Sequence, residues 1–126
     1  SQQALRCSFS PGKGQPLVRG ASAMSLLAFM PAEQAQSTFD ALVPAAEQPA
    51  LQASLHAIRL QGYAISDSAI DPGIWGVSAP VLVSGKKLLG TLTLMAPSAR
   101  VRDCKDALIE KTRKAARTVS NYLSCR

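Results

Sequence analysis

Hydrophobic residues alternate with polar or small residues in some stretches of the chain and recur at helical spacing in others. Alternation predicts strands at residues 4–9, 74–83 and 87–96, and a short turn at residues 84–87 joins the last two as a β-hairpin. Helical patterns cover residues 20–30, 31–42, 50–62 and 103–123. This order predicts an α+β domain in which helices pack against one face of an antiparallel sheet.

Residues at the predicted helix ends support these boundaries. Pro31 stands near the first position of the second helix, and Gly62 is placed to end the third helix in a left-handed cap. In the last helix the apolar residues nearest to one side are Leu108, Ala115, Val119 and Tyr122. We expect that side to face the sheet.

The two faces of the predicted hairpin differ in bulk. Trp75, Val77 and Val81 share one face of its first strand, which is a natural core face. The opposite face carries small or hydroxyl-bearing residues, namely Gly76, Ser78, Thr91 and Thr93. Such a face fits a ligand pocket with a few polar groups. It fits equally a place where a helix backbone approaches closely, and the pattern alone leaves both interpretations open.

Composition and charge restrict the class of protein. The chain has 126 residues, 47% of them hydrophobic, and three cysteines without metal-site spacing, which predicts one folded domain in the cytoplasm. No apolar run approaches the roughly 20 residues that span a bilayer, so no membrane partner is expected. The net charge of +6 is concentrated after Ser98 without interleaved aromatic residues. We therefore interpret the basic residues as a solvated helix face and expect no direct contact with DNA.

No residue pattern indicates catalysis or a metal. His56 is the one histidine of the sequence, and Asp67 and Asp71 lie in a segment rich in ordinary turn residues. Neither a P-loop nor a nucleophile elbow occurs. We expect no enzyme activity, no catalytic residue, no metal site and no cofactor.

Several segments resemble the effector-binding domain of IclR-type bacterial transcription regulators. They are PLVRGASAMSLLAFMPAE, then Gly62-Tyr63 followed by Ala79-Pro80-Val81, and the amphipathic last helix. The resemblance implies a GAF-like antiparallel sheet flanked by helices, which binds a small organic or aromatic acid and assembles as a homodimer or tetramer. It implies that residues 1–126 form a single effector-binding domain. Operator DNA would be bound only through a winged helix-turn-helix domain that this chain lacks.

The resemblance also implies a ligand site. Carried onto this sequence, the family's cavity falls at Ser22, Ala23, Ser66, Gly76, Thr93 and Met95, and the strand pattern adds Ser78 as part of its floor. The family usually has Glu at Ala69 and often Cys at Gly76, and it expects other residues at Leu82 and Val83. We therefore expect a cavity enlarged at Gly76 and less polar at Met95. The corresponding hypothesis is a ligand that is bulkier or more apolar than a two- or three-carbon acid.

The sequence thus predicts a non-enzymatic effector-sensing and oligomerisation domain of a bacterial transcription regulator. Binding of the acid would shift the conformation of an attached DNA-binding domain. The alternative is a dimerisation module whose degenerate cavity binds nothing.

Overall fold

The computed structural model describes residues 20–69 and 71–125 of the chain. The strand predicted at residues 4–9 lies outside the described residues. The helices and strands are α1 (Gly20–Phe29), α2 (Ala32–Leu42), α3 (Gln48–Gln61), β1 (Ala64–Asp67), β2 (Ile74–Val83), β3 (Lys87–Pro97), α4 (Ser98–Val101) and α5 (Lys105–Ser124), with a 3₁₀ turn at Ala45–Glu47. The predicted helices and the hairpin are therefore confirmed, and β1 is an element that the sequence pattern did not reveal.

The expected helix boundaries have the expected chemistry. Pro31 precedes α2, and its carbonyl accepts hydrogen bonds from the N–H groups of Gln34 and Ala35. Gly62 ends α3 with a φ of 91°, and its N–H donates to the carbonyl of Ile58 at 2.8 Å. A side chain is rarely tolerated at such a φ, so the glycine explains why the helix stops there.

The three strands form one antiparallel sheet in the order β1-β2-β3. Ser66 pairs with Gly76 across β1 and β2, and Gly76 pairs with Met95 across β2 and β3. Because paired residues point to the same side of a sheet, these side chains share one face. The register shifts by a bulge at Val81/Leu82, close to the hairpin turn.

Helices cover both faces of this sheet, not one face as the order of elements suggested. On the face of Gly76, Ala64 packs with residues of α1, α2 and α3, including Leu27, Phe39 and Leu55. On the opposite face Trp75 and Val77 pack with Val101 and with Ile109 of α5. The sheet is thus the middle layer, and the fold is the α+β arrangement of a sheet flanked by helices.

The face of α5 that packs on the sheet is offset by one residue from the predicted one. Its buried residues are Ile109, Thr112 and Ala116. By contrast Val119 is 38% exposed and Tyr122 is 65% exposed, so the prediction that they face the sheet is wrong. Thr112 can be buried because its hydroxyl donates to the carbonyl of Leu108 at 2.9 Å. Among the helices of the described segments, no helix has the length and apolarity to cross a membrane.

Candidate functional site

A small cavity lies between the first turn of α1 and the face of the sheet that carries Gly76. The residues that line it are Gly20, Ala21, Ser22, Ser66, Asp71, Ile74, Gly76, Thr93 and Met95. The first turn of α1, all three strands and the loop before β2 therefore contribute to one site. The volume open to water-sized molecules is about 30 Å³, and a water needs about 10–15 Å³ by the same measure. The cavity accommodates only a few atoms in this conformation.

The structure brings most of the predicted site residues together. Ser22, Ser66, Gly76, Thr93 and Met95 all line the cavity. Two predicted residues do not line it. Ala23 is buried within α1, and Ser78 lies fully buried beneath the cavity, where its hydroxyl accepts a hydrogen bond from Thr93 at 2.9 Å.

Hydroxyl groups join α1 to the floor of the cavity. The Ser22 and Thr91 hydroxyls are 3.2 Å apart and form a hydrogen bond between α1 and β3. Ser22 lies in the first turn of α1. The N–H groups of a first helical turn have no partner within the helix, and the helix dipole adds about half a positive charge there. The site can therefore hold a carboxylate through N–H and hydroxyl donors.

Gly76 does not enlarge the cavity, which corrects the expectation from the sequence. A Cβ atom at this position would lie 3.3 Å from the Ser66 hydroxyl and 3.8 Å from the Ala21 Cβ. The space that a side chain would take is therefore already occupied by Ser66 and α1. Both interpretations of the small-residue face apply at different points: α1 approaches the strand closely, and a cavity remains beside its first turn.

Sequence reasoning missed four residues of the cavity wall, namely Gly20, Ala21, Asp71 and Ile74. Asp71 was assigned to turn chemistry. The family pattern expects an acidic residue at Ala69, which is exposed here. Asp71, two positions later in the same loop, lines the cavity. The missing acidic residue at Ala69 was thus a signal to look for another one nearby.

The remaining candidates from the sequence, His56 and Asp67, do not line this cavity. His56 is exposed on α3. The Asp67 carboxylate accepts a local hydrogen bond from the Ser68 hydroxyl at 3.3 Å and a shorter one, at 2.6 Å, from the Ser98 hydroxyl, which is distant in the sequence. Within residues 20–69 and 71–125, no group of His, Cys, Asp and Glu side chains is arranged to hold a metal ion.

Comparison with known proteins identifies the family. The family model described as the bacterial transcriptional regulator IclR C-terminal domain matches residues 1–121 of the chain. The chain belongs to the IclR family. Within that family the matching domain is part of a transcriptional regulator and not an enzyme, and the same holds for this IclR domain. A search of curated proteins gave no significant match.

Solved structures agree with this assignment. A C-terminal domain of a transcriptional regulator from Vibrio cholerae is 44% identical, with 93% of this chain and 72% of that chain covered and a TM-score of 0.82. An IclR-family regulator from Rhodococcus sp. is 27% identical, with 97% of this chain covered and a TM-score of 0.80. The IclR domain spans 49% of that second chain, about half its length. The C-terminal domain of the E. coli regulator KdgR shares the fold at 20% identity, with a TM-score of 0.77 and coverage of 90% of this chain and 74% of that one.

Proposed function

We propose that this IclR domain senses a small organic acid, which binds in the cavity at the first turn of α1. The observation that carries the proposal is the convergence of that helical turn with the hydroxyl-bearing residues Ser22 and Ser66 on one cavity. A helix N-terminus and hydroxyl donors are suited to a carboxylate group. Ile74 and Met95 offer apolar wall for a short carbon chain.

The dimensions of the cavity favour a short acid over an aromatic one. Its open volume of about 30 Å³ is small, whereas pockets for drug-sized ligands have roughly 300 Å³ or more. Ser66 and Ala21 occupy the space beside Gly76, so the site does not gain room there. Even a short acid has to widen the cavity slightly. The Met95 side chain can move to make this room, because it is 42% exposed.

Widening of the cavity gives the domain a way to respond. A ligand would contact both α1 and the sheet, and would thereby change how α1 sits on β3, to which the Ser22–Thr91 hydrogen bond ties it. The opposite end of α1 is tied to α3, because the Arg59 guanidinium donates to the carbonyl of Ala28 at 3.3 Å. A ligand that binds one arrangement of these helices better shifts the population toward it.

In the cell this shift would act on transcription. We infer that the domain works with a DNA-binding domain in the cytoplasm and that it alone does not read operator DNA. We infer also that it assembles as a homodimer or tetramer, which would couple the response between subunits. The support is the family, whose matching domain is part of a transcriptional regulator.

A thermal-shift series of carboxylates tests the ligand class. We expect two- to four-carbon acids to raise the melting temperature, because a ligand that binds only the folded state stabilises it by about 2.7 kcal/mol at a hundredfold excess over Kd. Benzoate should have little effect. Ser66→Ala should abolish the stabilisation, and Ser54→Ala, which removes a hydroxyl on the exposed surface of α3, should leave it unchanged. Stabilisation by benzoate alone would overturn the size argument.

The second candidate is a dimerisation module that binds no ligand. The small cavity volume favours it, as do large apolar side chains exposed on several elements, among them Leu60 and Tyr122. This candidate predicts that no acid in the series stabilises the protein while light scattering still gives the mass of a dimer. A monomer mass together with stabilisation by an acid would exclude it.

A further inference from the structure

A second and larger groove lies between α5 and the end of β2. It has a volume of about 430 Å³, which is within the roughly 300–1,000 Å³ of small-molecule sites. Its walls include Gly62, Pro80 and Leu82 on one side and Arg113, Arg117 and Asn121 of α5 on the other. None of its lining residues belongs to the cavity at α1. It is therefore a separate place for a ligand.

Two arginines give the groove its charge. Arg113 is held in place, because its guanidinium lies 5.5 Å from the centre of the Tyr63 ring and its Nη1 donates to Glu110 at 3.2 Å. Its Nη2 and Nε lie next to Gly62. Because glycine has no side chain, no side chain of residue 62 covers this edge of the Arg113 guanidinium. Arg117 follows one helical turn later, and no hydrogen bond or ion pair joins it to another residue in the described part of the chain.

This arrangement favours an anion between the two guanidinium groups. Like charges four residues apart on a helix repel each other, and one of these two has no counter-ion among the described residues. Guanidinium groups bind phosphate through paired N–H donors. A dianionic phosphate would match the two positive charges that line the groove.

The rest of the groove combines polar and apolar residues and is fixed in position by hydrogen bonds. Pro80 and Leu82 supply half-buried apolar surface beside the arginines. The helix is fastened to the strand end next to them, since the Ser120 hydroxyl accepts a hydrogen bond from the N–H of Leu82 at 3.1 Å and the Ser124 hydroxyl accepts one from the N–H of Ser84 at 2.7 Å. The walls are thus held at a set separation.

We propose that this groove is a second binding site, which takes a phosphorylated small molecule. The phosphate binds between Arg113 and Arg117, and the apolar part of the ligand lies on Pro80 and Leu82. This inference does not depend on the acid-sensing cavity at α1. A ligand in this groove would be a second effector of the same domain.

Calorimetry with phenyl phosphate, phenol and inorganic phosphate tests the proposal. Phenyl phosphate should bind at least about tenfold more tightly than either fragment, because only it combines the charge with the apolar body. Arg117→Gln should weaken its binding about tenfold, the loss of a hydrogen bond to a charged group. Lys114→Gln removes the same charge from an exposed position of α5 outside the groove and should change little. Gly76→Ala, at the other cavity, should also change little.

Several outcomes would overturn the proposal. Equal weakening by Arg117→Gln and Lys114→Gln would show that the anion responds to the overall basic surface and not to this groove. Loss of phenyl phosphate binding in Gly76→Ala with no effect of Arg117→Gln would assign the binding to the cavity at α1. No heat from phenyl phosphate in the wild-type protein would also reject the site.

Discussion

Substitution of Gly76 by alanine is expected to weaken ligand binding at the cavity at α1, through displacement of Ser66, without unfolding the domain. The added Cβ would lie 3.3 Å from the Ser66 hydroxyl, and 3.8 Å from both the Ala21 Cβ and the Leu94 carbonyl oxygen. Only the first contact is tight, and the Ser66 side chain can rotate away from it. The methyl group would then occupy space beside the cavity, and the Ser66 hydroxyl would leave its position in the wall.

The free energies involved separate the effect on binding from the effect on stability. Overpacking destabilises a protein by about 1–3 kcal/mol when the neighbouring atoms cannot move. Replacement of glycine by alanine also lowers the conformational entropy of the unfolded chain, which stabilises the folded state by about 0.4–1 kcal/mol. Because Ser66 can rotate, we expect the free energy of unfolding to change by less than about 1 kcal/mol. Loss of one hydrogen bond to a carboxylate costs about 1.5 kcal/mol or more, so the affinity for the acid should fall at least about tenfold.

A matched glycine provides the control. Gly90 lies in β3, and a Cβ there would meet no atom within 4 Å. Calorimetric titration with the acid that stabilises the wild-type protein most, and urea unfolding of each variant, give both quantities. Gly90→Ala should bind the acid like the wild type. Wild-type affinity in Gly76→Ala would refute the placement of the ligand at this cavity, and equal weakening in both variants would show that the effect is not local.

Urea unfolding tests three further substitutions and one control. Phe39→Ala should lose about 3–5 kcal/mol, since this ring is buried among α1, α2 and α3; a loss below 1 kcal/mol would contradict that packing. Ser25→Ala should gain about 1 kcal/mol, because the Ser25 hydroxyl is buried without a hydrogen-bond partner in the described structure. The exposed Ser54→Ala should gain only a few tenths, and a loss at Ser25 would reveal a partner. Ser120→Ala should lose about 1 kcal/mol, because the N–H of Leu82 then has no acceptor; an unchanged stability would show that this bond does not fasten α5.

The elements with strong local signals were predictable from the sequence. The hairpin follows from two apolar strand patterns on either side of a glycine turn, and the end of α3 follows from Gly62, whose φ of 91° few other residues adopt. These signals depend on a few neighbouring residues and not on the rest of the fold. The predicted boundaries of α1, α2 and α3 accordingly agree with the structure to within about two residues, as local signals allow.

Elements that depend on distant partners were not predictable in this way. β1 has only the residues Ala64–Asp67, and it exists as a strand because β2 offers it a pairing edge. The buried face of α5 was misassigned because Thr112 satisfies its own hydroxyl and can therefore replace an apolar residue. Counting hydrophobic residues favoured Val119 and Tyr122, which lie on the exposed side of α5.

The candidate site shows the same division. Ser66, Thr93 and Met95, which the family resemblance implied, line one cavity in the fold, and their role in ligand binding stays a prediction. The size of that cavity was not accessible from the sequence, because it depends on how closely α1 approaches Gly76. A glycine leaves a cavity only if the neighbouring side chains do not fill the space of the absent side chain. At Gly76, Ser66 and Ala21 pack against that space.

The most direct test of the central claim is an NMR titration of the amide groups with short carboxylic acids. The account predicts that a two- to four-carbon acid shifts the amide signals of Gly20, Ala21 and Ser22 first, because the first turn of α1 would bind the carboxylate, and that benzoate leaves them unchanged. Absence of any shift at these amides, with every acid in the series, would contradict the assignment of the cavity as the effector site.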